Sequence, residues 1–466
     1  MKLNFFAQET LSGNIYKQPH LYFYNMKKIL IGRMITTSLI IMFILTSSLS
    51  SFVGSKVLVC QNKRVISFDV EKDIIVRYRK SIPIVHIKAD SPYEYGLKRG
   101  QFLMRYYRKP IFKLYTLYRN FLSTLHIEAE RHIEILKDLY PSFLERLKGL
   151  SNSTGIPLID LISFNLIFPS FLMGKEACTA TAVSARVTEN NQSFISWNVD
   201  LFYVYKIVVS RYFRSPPVII CNISGTYKYA EFGFLPSLFG FALINEKGLA
   251  YAGTQVTVSD SGEGLTSLEL NHLAMETCAN VDEVESLYKN MERQSGVKKL
   301  NNVFGMTCNM NTLWVDSNDK ILLIEYTHNY FASKRADMIA ETNHHQVLDP
   351  NLSGAPKNDS YLGSTYLRLE RAYELLNQYN GSIDIDFYKN VFTADHKGGF
   401  IEGKPDLGDI CRHTLNTPNF PWDFLKYMYG TACVVIIQPA NFSAYYCPGH
   451  PCWMPFVLLD LREEFR

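Results

Sequence analysis

Apolar and polar positions alternate along this chain in two rhythms, and the rhythm changes near residue 178. From about Lys56 to Ala89 the period is two, as in IIVRYRKSIPIVHIKA, which predicts strands. Ile111, Leu114, Tyr115, Tyr118, Phe121, Leu122 and Leu125 then recur at a period near 3.6 and predict a helix. HIEILKDLYPSFLERLKGL and IPLIDLISFNLIFPSF continue in the helical manner. At Cys178 the period returns to two, and CTATAVSARV and SFISWNVDLF flank Glu189-Asn190-Asn191-Gln192, a hairpin turn. FALINEKGLAYAGTQV repeats the design around Asn245-Glu246-Lys247-Gly248, and TLWVDSNDKILLIEYT repeats it around Asp316 to Lys320. SLELNHLAMETCANVDEVESLYKNME and STYLRLERAYELLNQYN read as helices, and ACVVIIQPANFSAYYC as a late hairpin. No linker rich in Pro, Gly or Ser interrupts the chain, and no repeat occurs. Hairpins with helices inserted between them predict an α+β layered domain fed by a helical leader.

Composition narrows the partners. The 466 residues are 47% hydrophobic and 20% charged, which is ample for a large core. Net charge is only +4, without a basic run beside stacking aromatics, so nucleic acid is not an expected partner. Met34 to Val53 carries no charge and follows Lys27, Lys28 and Arg33. Translation from Met26 would make this a signal peptide; translation from Met1 would allow residues 34–53 to stay as a membrane anchor. The many Ser and Thr residues favour cleavage, and either route sends residues from about 54 onward into the secretory pathway, to a lysosomal or vacuolar lumen or to the outside. Seven Asn-x-Ser/Thr sites, at Asn152, Asn191, Asn222, Asn351, Asn358, Asn380 and Asn441, agree with a glycosylated lumenal chain. Nine cysteines leave one unpaired in an oxidising compartment.

A helical leader, a Cys-Thr opening a hairpin and an Asn-x-Asp about twenty residues later resemble a cysteine N-terminal nucleophile hydrolase. In that superfamily the precursor cuts its own chain just before the cysteine. From about residue 90 to the end, YGLKRGQFL, INEKGLAYAGTQV, ETNHHQV, STYLRLERA and ADHKGG followed by DICRHT resemble motifs of the acyl-CoA:6-aminopenicillanic acid acyltransferase family. Acid ceramidase, N-acylethanolamine acid amidase and bile-salt hydrolase are similar cousins. The resemblance implies a four-layer αββα fold. Residues 1–53 would be signal or anchor, 54–177 a leader chain, and 178–466 a catalytic chain that stays paired with the leader as a heterodimer.

The same resemblance implies site residues. Cys178 is the nucleophile, and breakage of the Ala177–Cys178 bond gives it an α-amine of its own. Such an amine titrates near 7.7–8.0, so it serves as a base around neutrality. Asp200 would hydrogen-bond that amine. Asn343, and less securely Gln255, would donate to the oxyanion of the tetrahedral intermediate. Arg368 matches the arginine near the nucleophile, with Arg371 one turn on as its rival. Trp197 stands where bile-salt hydrolases carry arginine, a departure that removes a direct charge from beside the thiol. The expected substrate is a small amide or acyl donor. An acid amidase for N-acyl lipids and an inactive lumenal binding protein are the alternatives.

No cofactor or metal is expected. His344 and His345 are adjacent, so their side chains diverge. In CPGHPC, Cys447 and Cys452 read as a disulfide rather than a zinc site. Asp395-His396 and Cys411-Arg412-His413 read as structural or as pocket walls.

Overall fold

The structure is a computed structural model that describes residues 68–71, 74–80, 82–172, 178–202, 216–232, 240, 242–295, 307–358, 364–397, 407–413 and 429–466. The signal or anchor segment at 34–53 and Ala177 fall outside these residues. Among the described residues no helix is long and apolar enough to cross a membrane.

Strands β1 (Phe68–Glu71), β2 (Ile74–Arg79) and β3 (Ile82–Ala89) form an antiparallel meander, as the period of two predicts. Four helices follow: α1 (Pro92–Leu122), α2 (His126–Leu139), α3 (Pro141–Thr154) and α4 (Leu158–Leu172). Ser91 caps α1 by accepting from the Glu94 N–H, and Pro92 sits at its first turn, where no intrahelical donor is lost. Gly96 and Gly149 sit where α1 crosses α3, and a Cβ at either would strike backbone of the other helix.

Next come β4 (Cys178–Val183) and β5 (Phe194–Phe202), then β6 (Val218–Ile223), β7 (Tyr229–Phe232), β8 (Ala242–Asn245) and β9 (Ala250–Val258). Helices α5 (Ser267–Thr277) and α6 (Val281–Asn290) precede β10 (Thr307–Val315), β11 (Ile321–Tyr326), β12 (Phe331–Lys334) and β13 (Met338–Glu341). Helix α7 (Thr365–Gln378) is followed by β14 (Tyr429–Gln438), β15 (Ser443–Cys447) and β16 (Val457–Asp460).

These strands make two sheets. The larger has ten strands in the order β1-β2-β3-β6-β7-β8-β9-β10-β11-β12, and the smaller six in the order β13-β4-β5-β14-β15-β16. Strands β4 and β5 lie against β9 and β10, so the sheets meet face to face. Helices α1, α4, α5 and α6 pack on the large sheet, and α7 packs on β13 and β4 of the small one. The fold is α+β with two sheets between helical layers. The leader is part of it: β3 runs parallel to β6, inside the large sheet.

Three buried contacts, two of them Arg–Glu ion pairs, tie leader helices to later segments. Arg99 on α1 meets Glu231 at 2.8 Å, Arg146 on α3 meets Glu276, and His132 on α2 meets Glu269 at 3.0 Å. All six side chains are almost fully buried. Burial alone would penalise such charges, so each depends on its partner.

Candidate active site

Cys178 is the first residue of β4, and its side chain is fully buried toward the core between the sheets. Because both faces of the small sheet are covered, even Thr179 and Thr181 of the alternating CTATAV run are buried. Their hydroxyls are satisfied from two directions: Thr181 bonds Ser196 of the neighbouring strand β5 at 2.8 Å, and Thr179 accepts from Arg368 of α7 at 3.0 Å.

Helix α7 delivers Arg368 one turn after its start, and the segment after β13 delivers Asn343. The Arg368 guanidinium donates to the Cys178 carbonyl, to Asn343 Oδ1 at 2.7 Å and to Ser364 Oγ at 3.1 Å. Asn343 Oδ1 also accepts from the Cys178 backbone N–H at 3.1 Å. Both backbone polar groups of Cys178 are thus held, one by Asn343 and the other by Arg368. Arg371 points away, to Asp395 at 2.7 Å and Glu374 at 2.8 Å.

The remaining residues have these partners in the intact chain. Asp200 Oδ1 accepts from the Thr431 hydroxyl at 2.7 Å, and its backbone N–H, rather than its carboxylate, serves the Cys178 sulfur. Asn343 spends its Nδ2 on the Gln255 carbonyl at 2.8 Å, so its donor is engaged in the intact chain. Gln255 is buried, and neither atom of its amide has a partner among the described residues. A buried amide in that state costs about 1–3 kcal/mol, which a polar ligand group would recover.

Burial and the Asp200 carboxylate push the Cys178 thiol up to about 12; the Trp197 indole N–H, Arg368 and the Asp200 N–H pull the other way. Trp197, the departure from arginine, therefore supplies the sulfur with a neutral donor where a charge was missing. Nothing in the sequence pattern announced that role, because Trp on a strand reads first as core. Thr431 and Thr365 were missed for a similar reason: each acts through another residue. Thr365 Oγ1 accepts from the Asn343 N–H at 2.7 Å and fixes the Thr-Asn-His segment.

The two adjacent histidines diverge. His344 stacks on Tyr366 with ring centroids 3.8 Å apart and bonds Thr365 at 2.8 Å, while His345 bonds Ser353 at 2.8 Å. Burial and Arg368 hold His344 down to about 4, and burial with His344 holds His345 down to about 3. The disulfide expected in CPGHPC is not formed. Cys447 Sγ faces the carbonyls of Gly449 and Met454, while Cys452 turns to Cys411, 3.6 Å away.

Residues 187–394 match the family model for acyl-coenzyme A:6-aminopenicillanic acid acyl-transferase. That span holds Asp200, Gln255, Asn343 and Arg368 and begins after Cys178. It agrees with the resemblance carried by the motifs, and the enzyme class that follows is an amide-bond hydrolase or acyltransferase. No curated protein matches the chain. Similar solved structures include a mutant conjugated bile acid hydrolase from Clostridium perfringens, at 14% identity and TM-score 0.42, over 61% of this chain and 93% of that one. A Caenorhabditis elegans N-acylethanolamine-hydrolyzing acid amidase ortholog is 10% identical with TM-score 0.34, over 56% and 93%. Penicillin V acylase from Agrobacterium tumefaciens is 13% identical with TM-score 0.36, over 58% and 83%. None of these three similarities carries a functional conclusion for this chain.

Proposed function

We propose that the chain is a self-processing cysteine N-terminal nucleophile enzyme of the secretory lumen, which opens at Ala177–Cys178 and then works through a thioester on Cys178. The observation that supports this best is the clamp on Cys178, whose N–H rests on Asn343 and whose carbonyl rests on Arg368. A residue held on both backbone groups stays in place when the bond preceding it breaks. In the intact chain the thiol is at rest, since burial and Asp200 keep it protonated. Release of the α-amine supplies the missing base beside it, and the amine takes the thiol proton as the sulfur attacks a substrate carbonyl. The tetrahedral oxyanion then requires donors, and the Gln255 amide, without a partner among the described residues, has capacity to spare. Collapse expels the amine of the substrate and leaves an acyl-thioester. Water completes an amidohydrolase cycle, and a second amine completes an acyl transfer.

The test is a denaturing gel with N-terminal sequencing of the purified protein. The expected result is a fragment starting at Cys178 in the wild type and none in Cys178→Ala. An uncut chain that still turns over an amide would overturn the proposal, and an uncut, inactive chain would favour a binding protein of the same fold. Fatty-acid release from N-acyl lipids at mildly acidic pH would assign the substrate to lipid amides.

A further inference from the structure

Four potential metal ligands from three separate segments meet in one cluster. They are His396, Cys411, His413 and Cys452, and one donor atom from each lies within 4.8 Å of all the others. Cys411 Sγ is 3.6 Å from Cys452 Sγ and 3.6 Å from His413 Nε2, and His413 Nε2 is 3.2 Å from Cys452 Sγ. We infer that these four side chains form a structural zinc site, Cys411 and Cys452 as thiolates and His396 and His413 as neutral imidazoles.

The chemistry of the donors selects the metal. Two sulfurs and two imidazole nitrogens in a tetrahedral set suit zinc, with metal–sulfur and metal–nitrogen bonds of about 2.3 and 2.0–2.1 Å. Four points around such a centre are separated by about 3.3–3.8 Å, which follows from those bond lengths and the tetrahedral angle. Two thiols that lose their protons on binding cancel the double charge of the ion, so the ion and its four ligands together carry no net charge. His396 also has the support that zinc-bound histidines have: the Asp409 carboxylate lies 3.6 Å from its Nδ1, which leaves Nε2 for the metal. His413 is held flat against the His450 ring, with centroids 4.1 Å apart at 7°. With all four positions taken by protein, no open coordination site remains for substrate, and the role is structural.

A disulfide is the competing use of the two cysteines. It needs the sulfurs about 2.0 Å apart, and it gives no reason for two imidazoles to converge on them.

The site reaches the catalytic hairpin through backbone. Residue Arg412, between two of the ligands, exchanges bonds with Thr431: its N–H donates to Thr431 Oγ1 at 2.9 Å, and its carbonyl accepts from Thr431 N–H at 2.9 Å. The Thr431 hydroxyl in turn donates to Asp200. The metal would pin the segment that backs Asp200.

The test is elemental analysis of the folded, full-length chain, together with peptide mapping without reductant. One zinc per chain is expected. Cys452→Ser and His413→Ala should each lower metal content about tenfold or more, while Cys447→Ser, in the same CPGHPC segment, should retain it. Should the ligand variants fail to fold, cobalt loaded into the wild type decides. Thiolate-to-cobalt charge-transfer bands with tetrahedral d–d bands support the site. A metal-free folded wild type, a Cys411–Cys452 disulfide in the map, zinc that survives both ligand substitutions, or an octahedral cobalt spectrum would each overturn it.

Discussion

Cys178, at the head of β4, and the Cys411–Cys452 corner, in segments outside the strands, set thiols in two different surroundings. No imidazole bonds the sulfur of Cys178 among the described residues; it is served by an indole N–H and a backbone N–H. At the corner two imidazoles converge on two sulfurs. The difference teaches what each task requires. A nucleophile must keep its lone pairs for a carbonyl and be activated only when its base arrives, whereas a metal site must commit every donor at once.

The largest effect should come from exchanging the two. Cys178→Ala should abolish both processing and turnover, a loss on the order of 1000-fold or more, while Cys452→Ser should leave the chain cut before Cys178. Turnover assays and gel analysis of both variants check this, and the opposite pattern would reverse the assignment.

Next in size is the clamp. Arg368→Met strips donors from the Cys178 carbonyl, Thr179 and Asn343, and should cost about 3 kcal/mol of stability. Arg371→Met, which loses ion pairs to Asp395 and the exposed Glu374, should cost less. Urea midpoints of the two variants measure the gap, and equal losses would show that the clamp has no special weight.

Acid sharpens the contrast through the Thr-Asn-His segment. His344 and His345 stay neutral in the folded chain down to about 4 and 3, while the unfolded chain takes up protons below about 6.5. The unfolded state binds more protons in that window, so this contribution to stability is lost as pH falls from about 6.5 toward 4. Each histidine should account for on the order of 2 kcal/mol at pH 5. Glu341 and Glu325, pushed up by burial, act in the opposite sense. The effect is therefore read as a difference: His345→Gln should gain stability relative to wild type between pH 7 and 5. A pH-independent difference would contradict it.

The smallest effect concerns the sulfur itself. Trp197→Phe removes one donor worth about 1 kcal/mol, so the thiolate fraction should drop several-fold. Iodoacetamide labelling of Cys178 at fixed pH reads this, and unchanged labelling would remove Trp197 from the site.

Much of this architecture was legible in local pattern. The β4–β5 hairpin, the Asn245 turn and the Asp316 turn carry their own instructions. Asn245 Oδ1 accepts from the N–H groups of Lys247 and Leu249, and Gly248 takes φ +77°. Asp316 Oδ1 accepts from Asn318 and Lys320 in the same way. Such turns are closed by residues within reach of one another, so sequence states them directly. That Cys178, Asp200, Asn343 and Arg368 come together could be read from compact motifs. What was not legible was any role formed across distance. The π-helical turn at Phe387–Phe392, the parallel β3–β6 pairing and the convergence of His396 with Cys452 depend on tertiary packing that no local spacing encodes.

The parallel pairing of β3 with β6 has a consequence for any chain severed ahead of Cys178. The amino-terminal piece would keep its place as the three strands at one end of a shared sheet, joined through β3 and β6 and locked by Arg99–Glu231 and Arg146–Glu276. The nicked particle would elute as one species under native conditions. Once denaturant parted the halves, regaining the structure would require them to meet again, so refolding would depend on protein concentration where the uncut chain's would not.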